Sequence, residues 1–165
     1  MYVNLGATGN VVTRLLTNGE CDGKGHVLVM DRYYNSVTLF HHLHAVHQTG
    51  AVGTVQTNRK FFPAAVKTAK VRERGDVKSQ CHENIAALVW KDRKPIFFLS
   101  NVHDPHMIIN GTLRRNKDGT QTPLPMPEAV SVYNKYMGGC DLNDQMTRLQ
   151  RTRPETLSLA TSTFH

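Results

Sequence analysis

Cysteine is scarce in this 165-residue chain, and what there is stands apart. Cys21, Cys81 and Cys140 form no C-x-x-C pair. An odd number of isolated thiols argues against a disulfide framework and predicts reduced cysteines in a cytosolic or nuclear compartment. Long apolar runs are missing too. None approaches the ~20 residues that span a bilayer, so no membrane function is expected. The first residues, Met1-Tyr2-Val3-Asn4-Leu5-Gly6, carry neither a basic n-region nor an apolar h-region, so no secretion is expected. Acidic charge is short: 13 Asp and Glu face 20 Lys and Arg, a net charge of +7. That balance favours an anionic partner, with nucleic acid first, although a merely basic soluble domain fits the charge equally well. The chain has the length of one ordinary domain, and there is no internal repeat.

The first third reads helix–strand–helix–strand. Gly6, Gly9 and Asn10 read as a loop, and Val11 to Leu16 as a short helix stopped at Asn18-Gly19. His26 to Met30 is an apolar run of strand length. Ser36 caps a predicted helix over Val37 to Gln48, ended by Gly50, and Ala51 to Val55 is a second buried strand. This is an α/β pattern. The middle changes character. Lys60, Lys67, Lys70, Arg72 and Arg74 make a basic stretch. Ile85–Trp90 and Ile96–Ser100, flanking a charged turn, predict a β-hairpin. A polar stretch with Arg114, Arg115 and Lys117 runs on to Pro123 and Pro127. Residues 58–126 therefore read as a β-rich insertion interrupting an α/β unit of residues 1–57. After Pro127 the period is helical: Val130, Tyr133 and Met137 lie on one stripe, and beyond Gly138-Gly139 so do Leu142, Met146 and Leu149. Residues 127–153 read as two helices, and 154–165 as a Ser/Thr-rich disordered tail.

Two aspartates stand out. Asp31 ends the first apolar strand, where it is either a turn or cap residue or a metal ligand. Asp141 opens a helix, where it is either a dipole partner or a ligand, with Asp144 one turn on. A carboxylate at a strand end and one at a helix start can converge on a divalent metal site, a geometry suited to phosphoryl transfer. Their carboxylates are then expected within roughly 8 Å of one another. His41, His42, His44 and His47 have ligand spacing on a helix, but no carboxylate or cysteine sits near them in sequence. A polar helix face is preferred to a zinc site. His103 and His106 are read the same way, and Cys140 is read as packing. Basic residues lie among Phe61, Phe62, Trp90 and Tyr133, a mixture that suits either DNA contact or a solvated sheet face.

Three ordered segments resemble the piggyBac transposase family. Met30-Asp31-Arg32-Tyr33-Tyr34-Asn35-Ser36 is similar to its segment after the second catalytic strand. Gly53-Thr54-Val55-Gln56-Thr57-Asn58-Arg59-Lys60 resembles its G-T-[VI]-R-x-N-[KR] strand end. Tyr133-Asn134 with Met137-Gly138-Gly139-Cys140-Asp141-Leu142-Asn143-Asp144-Gln145 resembles its Y-N-x-x-M-G-G-V-D-x-x-D-Q signature. The resemblance covers roughly residues 1–150. It implies a partial RNase H-like catalytic core interrupted by the β-rich insertion, and cut-and-paste transposition by metal-dependent DNA cleavage and strand transfer. It further implies Asp31 and Asp141 as catalytic ligands of a two-Mg²⁺ site and Asp144 as their support. DNA contact is implied at Asn58, Arg59 and Lys60, with a nuclear location and a homodimer in intact relatives. Three departures count. The family's first aspartate lies on an upstream strand; here only Glu20 and Asp22 precede Asp31, so two of three ligands remain. Gln56 replaces the usual Arg, and Cys140 the usual Val. The alternative is a non-catalytic DNA-binding or protein-interaction module exapted from a transposon.

Overall fold

The computed structural model describes residues 4–115 and 118–138. Asp141, Asp144, Cys140, Lys117, the Leu142–Met146–Leu149 stripe and the 154–165 tail lie outside the described residues. The elements run α1 (Gly6–Asn18), β1 (Val27–Met30), α2 (Val37–His47), β2 (Gly50–Thr54), α3 (Ala64–Lys67), β3 (Val77–His82), β4 (Ile85–Lys91), β5 (Pro95–Ser100), β6 (Ile108–Arg115) and β7 (Gln121–Pro127). A final helix, α4, covers 128–138.

Five strands form one sheet in the order β1-β2-β5-β4-β3. β1 and β2 are parallel, with Val27 opposite Gly50 and Met30 opposite Gly53. β5 pairs antiparallel with β2 and carries the β4–β5 and β3–β4 hairpins beyond it. The sheet thus runs across the boundary expected near residue 58, joining strands from both sides of it. β6 and β7 pair as a separate ribbon.

Side-chain alternation divides the core between the two faces. On one face Ile85, Ala87 and Val89 of β4 pack with Leu39, Phe40 and Leu43 of α2 and Val12 and Leu16 of α1. On the other, Leu88 and Trp90 pack with Leu124 and Met126 of β7 and Ala129 and Val130 of α4. The Trp90 indole N–H donates to the Pro125 carbonyl at 3.0 Å, pinning the ribbon to the sheet. β4 is buried on both faces, which is why it reads as an unbroken apolar run.

Several expectations need correction. α1 begins at Gly6 rather than after Asn10. Gly9 costs the helix interior about 1 kcal/mol, but burying Val12 and Leu16 returns about 1.5–3 kcal/mol apiece, so packing overrides propensity. α2 starts where predicted, with Ser36 Oγ accepting the Leu39 N–H at 3.1 Å. It ends one residue early, because Gln48, not Gly50, takes the left-handed conformation at φ +47°. Gly50 opens β2 instead, its N–H donating to the His26 carbonyl at 2.8 Å.

The parallel pair is closed at its carboxyl end by one side chain. Asn35 is fully buried, and its amide donates to the Met30 carbonyl at 2.9 Å and the Thr54 carbonyl at 2.7 Å. Gly53 makes room for it. A Cβ there would lie 2.0 Å from the Met30 oxygen and 2.3 Å from Asn35 Nδ2. Asn35→Ala leaves the buried Met30 carbonyl and the part-buried Thr54 carbonyl without this donor and is expected to lower stability by about 2–4 kcal/mol in urea unfolding. Gly53→Ala should lower it by a similar amount. Because Asn35→Ala removes one of the two clashes, the double variant should lose less than the sum of the singles. Strict additivity would show that the two positions do not share the space described.

Candidate functional site at the carboxyl ends of the parallel strands

Asp31 follows the last residue of β1 and is exposed. Its Oδ1 accepts the Arg32 N–H at 2.6 Å and the Thr54 hydroxyl at 3.4 Å. The Thr54 hydroxyl also lies 3.3 Å from the Tyr133 hydroxyl on α4. A chain of polar contacts therefore links the ends of β1 and β2 to the helix that leads toward Asp141. β1, α4 and α1 enclose a cleft of about 880 Å³. Leu28, Val29 and Met30 of β1, Leu16 of α1, Asp31, Tyr34, and Tyr133, Asn134, Met137 and Gly138 of α4 line it. Among the described residues β1 is one edge strand of the sheet, and its open side runs along this cleft. In open α/β sheets, binding sites form at the carboxyl ends of parallel strands, where Asp31 stands.

Asp22 belongs elsewhere. Its carboxylate accepts from Thr17 Oγ at 3.1 Å and meets His47 Nδ1 at 2.5 Å, at the amino end of β1 and β2. Four residues of strand, about 13 Å, separate that end from Asp31. Asp22 therefore cannot supply a ligand beside Asp31.

Of the three residues expected at DNA, Asn58 and Lys60 are exposed, whereas Arg59 is half-buried. The Arg59 guanidinium donates to the Tyr33 carbonyl at 2.5 Å, bracing the turn after β2 against the turn after β1. Lys60 Nζ sits 4.9 Å from the Phe61 ring centroid. Phe61 itself is held at φ +65°, a conformation that costs a bulky residue of order 1–3 kcal/mol. Among the other basic residues, Arg74 and Arg114 are committed to Asp92, at 2.5 and 3.7 Å.

The α2 histidines are not gathered on one centre. His47 contacts Asp22, and His41 Nε2 lies 3.5 Å from Glu83. His42 packs edge-on to His47 with ring centroids 5.1 Å apart. Burial, then the charges of His47 and His41, holds the His42 pKa below the ordinary imidazole value. Among the described residues no three His, Cys, Asp or Glu side chains could share a metal ion.

The residues that sequence reasoning missed are Thr54, Asn35 and the hydroxyl of Tyr133. All three sit inside the recognised segments, but threonine and asparagine there read as strand and turn, and Tyr133 as part of an apolar stripe.

A family model described as Transposase IS4 matches residues 3–163. The chain belongs to this piggyBac-type transposase family. Its fold is similar to that in the cryo-EM structure of a piggyBac transposase synaptic complex with hairpin DNA. The TM-score is 0.62 at 22% identity, over 84% of this chain and 27% of the solved one. This transposase-family chain therefore spans about a quarter of the length of that solved protein. No helix among its described residues is long and apolar enough to cross a membrane.

Thr54→Val should cost about 0.5–1.5 kcal/mol in urea unfolding, the net worth of an ordinary hydrogen bond. A cycle with Tyr133→Phe should show coupling of at least about 0.5 kcal/mol. Independent effects would mean that α4 is not tied to the strand ends through these hydroxyls.

Proposed function

We propose that this chain is part of the catalytic core of a piggyBac-type transposase whose intact form cuts and joins DNA. The observation that carries the reading is the shared cleft. Asp31 at a strand end lines it together with Tyr133, Asn134, Met137 and Gly138, on the helix that leads into the Gly-Gly-Cys-Asp segment. Asp31 and Asp141 are the metal ligands and Asp144 their support, in an RNase H-like arrangement with residues 58–126 inserted between the two ligands.

The donor set suits a hard cation. Asp31 offers carboxylate oxygen, and its Oδ2 has no hydrogen-bond partner among the described residues. Oxygen ligands of this kind match Mg²⁺. When bound, the metal polarises a phosphodiester and lowers the pKa of an attacking water or 3′-hydroxyl. The chain's own residues do the positioning. The Arg32 N–H and Thr54 O–H fix one oxygen of Asp31 and turn the other outward. Asn58 and Lys60, on the next turn, hold backbone phosphates, while Arg59 keeps that turn in register with Tyr33. Among the described residues β1 has an open edge, which leaves room beside Asp31 for a further strand, and the ligands named here are two of the family's three. Catalysis is therefore a property of the longer protein, a nuclear DNA-binding assembly, and not of this chain alone.

The purified chain is expected to bind a short DNA duplex with steeply salt-dependent affinity, and Lys60→Ala should reduce the log–log salt slope by about one. It should neither cleave nor join DNA with Mg²⁺ or Mn²⁺. Cleavage abolished by Asp31→Ala would show that the chain holds a complete ligand set. Affinity indifferent to salt would remove the phosphate contacts, and with them the DNA reading.

A further inference from the structure

A second pocket, of about 470 Å³, lies between α2 and the β3–β4 hairpin. Its floor is apolar, made by Val37, Ile85, Ala87 and Leu99, and one wall is Phe61. The volume falls within the range of about 300–1,000 Å³ typical of small-molecule sites.

Phe61 is the unusual residue. Its backbone is left-handed at φ +65°, its side chain is 67% exposed, and Lys60 stands over its ring. The neighbouring Phe62 does the structural work. It is buried and meets Phe97 edge-to-face at 6.0 Å, anchoring the turn to the core. Phe61 adds nothing to that anchor. The fold holds a strained aromatic ring in solvent, at the mouth of a pocket and beside a cation.

We propose that this pocket receives an unstacked nucleobase of single-stranded or locally opened DNA, with Phe61 as the stacking face and Lys60 on the adjoining phosphate. The proposal rests on the DNA reading above and names the form of DNA that this surface takes. Aromatic rings beside basic side chains bind single strands in a sequence-tolerant way, because every base has a π-face. Charge complementarity supports that occupant over an acyl chain or an apolar peptide side chain, since the exposed Lys60 ammonium lies 4.9 Å from the ring centroid of Phe61, which lines the pocket. The rim supplies groups for a base edge. Gln80 both donates and accepts, and Glu83, 3.5 Å from His41 Nε2, accepts from exocyclic amino groups. His42, kept below its ordinary pKa by burial, offers hydrogen bonding without charge near neutral pH.

The test uses the full chain with fluorescein-labelled oligo(dT) and a duplex of equal length, read by anisotropy at matched salt. Phe61→Gly is the informative variant, because glycine accepts φ +65° without strain and so leaves the fold intact. It should weaken oligo(dT) binding by roughly 5- to 100-fold while leaving duplex affinity within about twofold. Phe61→Trp should keep the tight binding, and its indole fluorescence should be quenched by oligo(dT); the one native tryptophan, Trp90, is buried. Salt-dependent duplex binding together with oligo(dT) affinity unmoved by Phe61→Gly would overturn the pocket proposal alone, leaving the pocket to a protein side chain. Failure of both probes to bind at low salt would overturn the DNA reading, and this proposal with it.

Discussion

The Asn35 amide donates to the final carbonyls of both parallel strands, and the geometry of the candidate site follows from those two bonds. Parallel strands have no hairpin to hold their carboxyl ends together. Where they diverge, their last carbonyls need donors, and here a buried side chain three residues before the α2 N-terminal turn residue Thr38 supplies them. Asp31 leaves β1 immediately after Met30, and Thr54 is the last residue of β2, so the amide sets the distance between them. Gly53 is the counterpart of this brace, since only a residue without Cβ lets Asn35 and the Met30 carbonyl lie so near.

From that fixed end the polar chain Asp31–Thr54–Tyr133 reaches across the cleft to α4. α4 is held independently, by Ala129 and Val130 packed on the sheet beside Trp90 and Phe98. The Phe98 and Tyr133 rings meet edge-to-face at 5.4 Å. Packing thus orients the helix while hydroxyls set its register against the strand ends. Such a division suits a site whose ligands come from distant parts of the sequence, because each ligand is carried on an element with its own core contacts.

Local pattern made much of this legible. β1, α2, β2 and the β4–β5 hairpin announce themselves through apolar runs, a Ser cap and a charged turn, all signals that act within a few residues. β3 was missed because Val77–His82 is an edge strand, exposed at most positions and without an apolar face. β6 and β7 were hidden by Pro123, Pro125 and Pro127, which a two-stranded ribbon tolerates because its outer N–H groups need no partner. The joining of β5 to β2 could not be read at all, since pairing between strands some forty residues apart leaves no local trace. At the site, Asp31 was visible as a carboxylate ending an apolar run. Asn35 and Thr54 were not, because the same residues serve ordinary turns and strands. The strained conformation of Phe61 has no signature in the sequence either, since nothing in two adjacent phenylalanines says which one the backbone turns outward.

The central claim is that Asp31 and Asp141 share one metal site although they lie far apart in sequence. A crystal structure of the chain grown with Mn²⁺ tests it directly, because the ion's anomalous signal locates the site independently of the side chains. The account predicts Mn²⁺ between the two carboxylates, which should lie within roughly 8 Å of each other at the cleft beside β1. Carboxylates on opposite faces of the sheet, or Mn²⁺ bound with neither of them, would contradict it.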